Sequence, residues 1–141
     1  MRVPTAATAL ALAAVLAGCG SSTSSSLSSF SGEEKKVADV VEQLQSDGES
    51  RDAKGICEDV LASALVKQIQ QAGSTCEVEI DKAIRDADDY DLEVQDVTIS
   101  QDGDAATAKV KGRVGDADQV REFKFVREKA GWRATDLGSS S

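Results

Sequence analysis

Between Ser31 and Ala87 the apolar residues recur every three or four positions, and after Asp91 they recur at every second one. The first spacing marks one face of a helix, the second a half-buried strand. Val37, Val40, Val41 and Leu44 form the stripe of a first helix, and Ser31-Gly32-Glu33-Glu34 has capping-box spacing at its start. Asp47-Gly48 supplies an expected stop. A second helical stretch, Asp52 to Gly73, keeps the period through Ile56, Val60, Leu61, Leu65 and Ile69. Ser74-Thr75-Cys76-Glu77 offers another capping box, ahead of Ile80, Ala83, Ile84 and Ala87.

Leu92 to Ser100, Ala105 to Val114, Gln119 to Glu128 and Trp132 to Leu137 read as four strands. The links between them, Gln101-Asp102-Gly103-Asp104, Gly115-Asp116-Ala117-Asp118 and Lys129-Ala130-Gly131, are short and rich in Gly and Asp, as hairpins require. Short links imply an antiparallel meander. Helices followed by such a sheet predict an α+β domain in which the N-terminal helices pack on one face of four antiparallel strands.

Ahead of that domain, residues 1–18 hold a single cation, Arg2, and an apolar run from Ala6 to Leu16 that is too short to cross a bilayer core of about 30 Å. The run reads as an export signal. It closes on Leu16-Ala17-Gly18-Cys19, which resembles the lipobox of bacterial lipoproteins. The resemblance implies cleavage between Gly18 and Cys19 and lipidation of Cys19. Acyl chains contribute roughly 0.8 kcal/mol per buried methylene, so two or more hold a protein stably at a membrane. The expected location is the extracytoplasmic face of the bacterial cell membrane. Residues 19–31 are dominated by serine and read as a flexible tether, 32–137 as the folded domain, and 138–141 as a short tail.

Export changes the reading of Cys57 and Cys76. In an oxidising compartment a cysteine pair is expected to form a disulfide. That makes a demand on the second helical stretch. A straight helix from Cys57 to Gly73 would be roughly 24 Å long at about 1.5 Å per residue, too far to return to the ~7 Å Cα separation a disulfide tolerates. The helix must break, near Ala62-Ser63.

The helical first half, the hairpin at Asp102-Gly103, the strand Ala106-Thr107-Ala108-Lys109-Val110 and the closing Gly131-Trp132-Arg133 with Asp136-Leu137 together resemble the nuclear transport factor 2-like (cystatin-like) group. Its small actinobacterial-type lipoproteins are the nearest in kind. The resemblance implies a curved sheet wrapped around a helix to form a cone, often with an apolar pocket. Leu92, Val94, Val110, Phe123, Phe125 and Trp132 are the expected lining, suited to a small apolar ligand.

Charge and residue inventory narrow the function. The chain has 25 acidic and 16 basic residues; losing Arg2 with the signal leaves 15 basic residues and a net charge of −10. That balance opposes nucleic-acid binding and docking on anionic lipid through a basic face. Lys109, Lys111 and Arg113 alternate on one face of the second strand, with Lys124 near them, a strip able to meet an acidic envelope protein. The chain has no histidine, which removes the commonest general base and the Ser-His-Asp and Cys-His constellations. Catalytic relatives of the cone place a Tyr, Asp or His inside it; here Tyr90 and the aspartates match no such motif. Asp86-Ala87-Asp88-Asp89-Tyr90-Asp91 fails as a calcium loop, because Asp91 stands where the glycine belongs and Val97 where the closing glutamate belongs. No catalytic residue, metal site or cofactor is therefore expected. The reading is a non-catalytic ligand-binding or protein-interaction module. The alternative is a small cyclase-like or isomerase-like enzyme working through a buried carboxylate.

Overall fold

A computed structural model of the chain describes residues 29–87 and 90–138. The segment expected to be a signal, including Gly18, then Cys19 and most of the serine-rich segment lie outside these residues, as do Asp88, Asp89 and the last three serines. Among the described residues no helix is long and apolar enough to cross a membrane.

Helix α1 runs Gly32–Ser50, α2 is one turn, Ala53–Gly55, continued by a π-helical turn Ile56–Val60, α3 runs Ser63–Gln71 and α4 Cys76–Asp86. Strands β1 Glu93–Ile99, β2 Ala105–Val114, β3 Ala117–Glu128 and β4 Gly131–Asp136 follow. They pair antiparallel in chain order as an open, unclosed meander. The domain is α+β.

Helix ends depart from the expected capping. Ser31 makes no side-chain cap, and the chain enters α1 through Gly32 at φ 58°, a conformation that costs a glycine little. In α4 the cap is Thr75, one residue later than the box spacing suggests, accepting from Val78 N–H at 3.4 Å. Helix α1 does not stop at Asp47-Gly48. It continues to Ser50 and ends at Arg51, whose φ of 59° turns the chain. Gly48 serves packing instead of termination: a Cβ there would meet Cδ1 of Tyr90 at 2.6 Å.

The second helical stretch breaks where the disulfide requires it. Leu61 N–H donates to Ile56 O at 3.0 Å, closing the π turn, after which Leu61 and Ala62 are extended. Ala62 N–H then donates to Ala134 O at 2.8 Å, so this step bridges the outer edge of β4. Cys57 and Cys76 are joined at a Cα separation of 6.0 Å. Glu128 on β3 accepts from Ser63 N–H (2.9 Å) and Ser63 Oγ–H (2.7 Å), supplying the start of α3 with an acceptor its own sequence lacks.

The core lies between the helices and one sheet face. Val37, Ala38 and Val41 from α1 and Ile56 and Val60 from the π turn meet Val94, Val97, Ala108, Val110, Phe123 and Phe125. The opposite sheet face is exposed, and its charges alternate across the strands: Lys109 stands between Asp96 and Glu122, and Lys111 opposite Glu93. Lys111 Nζ is also 3.0 Å from Asp118 Oδ2, and the hydrogen bond and charge of Asp118 push the ammonium above its ordinary value. Most of the basic strip read from the sequence therefore faces local acids.

Candidate functional site

Alternation along β3 places Arg121, Phe123, Phe125 and Arg127 on its core-facing side, so the apolar pair is flanked by an arginine at each end. The two ends are built differently.

At the Arg127 end, β4 brings Trp132 opposite Arg127, with the guanidinium carbon 5.0 Å from the indole centroid. The first turn of α1 presents Glu33 to both. Trp132 Nε1–H donates to Glu33 Oε2 at 2.8 Å, Arg127 Nη2 donates to the same oxygen, and Lys36 Nζ donates to Oε1 at 2.7 Å. The Lys36 and Trp132 hydrogen bonds, followed by the Arg127 charge, hold the Glu33 carboxyl below the ordinary carboxylate value. At this end carboxylate, indole and guanidinium meet one another.

At the Arg121 end the sheet and helices stand apart around a cavity of about 390 Å³. Leu44 of α1 and Ala83 and Asp86 of α4 form its helical wall. Leu92, Val110 and Phe123 form the sheet side, with Leu137 at the end of β4. Gly112 makes room for Leu92, since a Cβ there would lie 3.1 Å from Leu92 Cδ2. Tyr90 closes the wall beside Gly48, its O–H donating to Ile84 O, and burial pushes the hydroxyl above its ordinary value against the opposing Arg51 charge. Gln45 Oε1 accepts from Leu92 N–H at 3.0 Å, pinning the chain where it enters β1.

Leu92, Val110 and Phe123 thus line the cavity. Val94, Phe125 and Trp132 are placed elsewhere: Val94 and Phe125 are packed under the helices, and Trp132 is turned to Glu33 at the opposite end. They share a sheet face with the lining residues but lie further along it. Arg121 lines the cavity and is missing from the expected set, as is Arg113, which the alternation of β2 assigns to the opposite face. Extending the Phe123–Phe125 alternation by one step in each direction finds Arg121 and Arg127.

Arg121 also lines a second hollow, of about 560 Å³, formed by Leu61, Leu65 and Ile69 with Ile80 of α4. The two spaces share Arg121 and Leu137. Gly138 lies against the arginine's stem, where a Cβ would stand 2.7 Å from Arg121 Cβ. Among the described residues no carboxylate is within ion-pairing distance of the Arg121 guanidinium, whereas Arg113, Arg127 and Arg133 each have one.

Among the described residues no buried carboxylate lines the cavity. The buried aspartate among the described residues is Asp47, which accepts from Gln43 Nε2 at 2.7 Å and lines neither space; its Oδ2 has no hydrogen-bond partner. Asp86 does reach the cavity wall but is exposed. Among the described residues no group of three or more His, Cys, Asp or Glu side chains is placed to hold a metal ion. Comparison of the chain with protein-family models, with curated proteins and with solved structures returns no match.

Proposed function

We propose that the chain is a lipid-anchored, extracytoplasmic binding module with a nuclear transport factor 2-like domain, whose cavity at the Arg121 end takes a small, largely apolar ligand. The observation that carries this reading is the cavity itself. Its volume falls within the ~300–1,000 Å³ of small-molecule sites, and its wall is mainly aliphatic and aromatic with few polar groups. A long helix laid on one face of an antiparallel meander, with space left at one end of the contact, supports the cone-like reading. The matched charges of the outer sheet face favour the cavity over that face as the working surface. The lipobox resemblance supports attachment through Cys19, and the excess of acidic residues supports acyl chains over a basic patch as the means.

Native mass spectrometry of the full-length chain, extracted gently from its host membrane, tests this. The expected result is an added small mass that is released on unfolding, on a chain carrying diacylglycerol at Cys19. A bare chain would overturn the ligand-binding reading, and an unmodified Cys19 would overturn the anchoring.

A further inference from the structure

The open end of β3 contains a cation out of keeping with the rest of the molecule. In a chain with 25 acids and 16 bases, a half-buried arginine that meets no described carboxylate goes against the general balance. Leaving a partly desolvated guanidinium without an acceptor has a cost, and an anionic ligand group removes it. We propose that Arg121 is the head-group site of a single-chain carboxylate amphiphile, with the apolar chain lying in the cavity of about 390 Å³ beside Phe123, Val110 and Leu92. The assignment rests on the cavity being a ligand site and adds the class of ligand.

Three observations narrow the chemistry. Arg121 is the junction of the two spaces, so a charge held there leaves an apolar wall on either side for a chain to follow. A planar guanidinium matches a carboxylate with two parallel hydrogen bonds. With Arg113 of the first wall shared with Asp118, the charges of Asp86 in that wall and Asp136 in the second disfavour a head bearing two or more negative charges. The Tyr90 hydroxyl is committed to Ile84 O and the other arginine of the wall, Arg113, faces Asp118 at 3.9 Å, which leaves recognition of the anion to Arg121.

The test uses the full-length chain purified from host membranes and held in amphipol, with octanoate, octanol and dihexanoylphosphatidylglycerol as probes. Octanoate is expected to bind about tenfold more tightly than octanol, the ratio one charge-assisted pair gives. Arg121→Met should erase that ratio while octanol binding stays, and Arg121→Lys should keep part of it. The wild-type ratio needs no variant, so misfolding of either variant leaves the test intact. Equal binding of octanoate and octanol would overturn the head-group assignment while the cavity remains a ligand site. Tighter binding of the phosphodiester lipid would overturn the single-chain carboxylate. Failure of all three probes to bind would overturn the ligand-binding reading together with this one.

Discussion

At one end of the core face of β3, Arg127 lies over Trp132 and reaches Glu33; at the other, Arg121 stands beside a cavity with no described carboxylate to meet it. The two residues share a strand, a face and a charge, and differ in what the helices bring to them. The first turn of α1 carries Glu33 to the Arg127 end. The far half of the same helix carries Leu44 and Gly48, which present an aliphatic wall and a seat for the Tyr90 ring. A matched cation consolidates packing, whereas an unmatched one beside an apolar space is positioned for recognition. On this comparison the closed end contributes stability and the open end has selectivity as its proposed role, and each half of the statement can be broken separately.

The largest effect should come from the closed end. Trp132→Ala is expected to cost about 3–5 kcal/mol, since it opens a cavity in a buried site and removes a donor from Glu33. Denaturant titration checks this, and a loss below about 1 kcal/mol would show that the indole is not holding the end together. Gly48→Ala should cost less, about 1–3 kcal/mol, because its methyl group must displace the Tyr90 ring. Its distinctive sign is altered ligand uptake at the open end, with the fluorescence of Trp132 at the closed end unchanged.

The paired arginines give a smaller and more direct contrast. Arg127→Met should lose about 1 kcal/mol, the sum expected of a partly exposed ion pair and a cation–π contact. Arg121→Met should fall within about 0.5 kcal/mol of wild type or gain stability. Equal losses at both positions would abolish the comparison. The slightest effect lies in pH. Glu33 has a depressed carboxyl pKa in the folded state, so its contribution is present above its ordinary value of 4.5 and is lost as pH falls through the lower folded value. Glu33→Gln should flatten the acid limb of the stability curve in that window. An unchanged limb would show that Glu33 does not couple proton binding to folding.

How far these ends were legible in the sequence follows from the range of the forces involved. Period-two alternation and Gly-Asp turns are local, and they located all four strands to within about two residues. Composition alone gives the β2–β3 link four residues, Gly115 to Asp118, but pairing of Val114 with Ala117 tightens it to Gly115-Asp116. The break near Ala62-Ser63 followed from a long-range constraint, the closure of Cys57 on Cys76, and the extended step falls at Leu61-Ala62. Gly48 reads locally as a stop, but its reason for being glycine is Tyr90, 42 positions away in the chain. The lining was legible for Leu92, Val110 and Phe123, whose apolar side chains share one sheet face. Which end of that face stays open depends on where Glu33, Leu44 and Tyr90 arrive from, and no local pattern encodes it.

The disulfide has a consequence for motion. Cys57 precedes α3 and Cys76 follows it, so α3 is one side of a covalent ring spanning a sequence separation of 19. None of its residues is fully buried: Leu65, Val66 and Ile69 pack on the margin of the core, and its start is held by Glu128 and by the single bridge from Ala62 to Ala134. A helix secured in this way should undock on its own, with its amides exchanging hydrogen well ahead of those of α1, while the ring keeps its ends close enough to return. Leu65 and Ile69 would leave and rejoin the wall of the second hollow in the same excursion, so passage to Arg121 would be timed by local opening and not by unfolding of the domain.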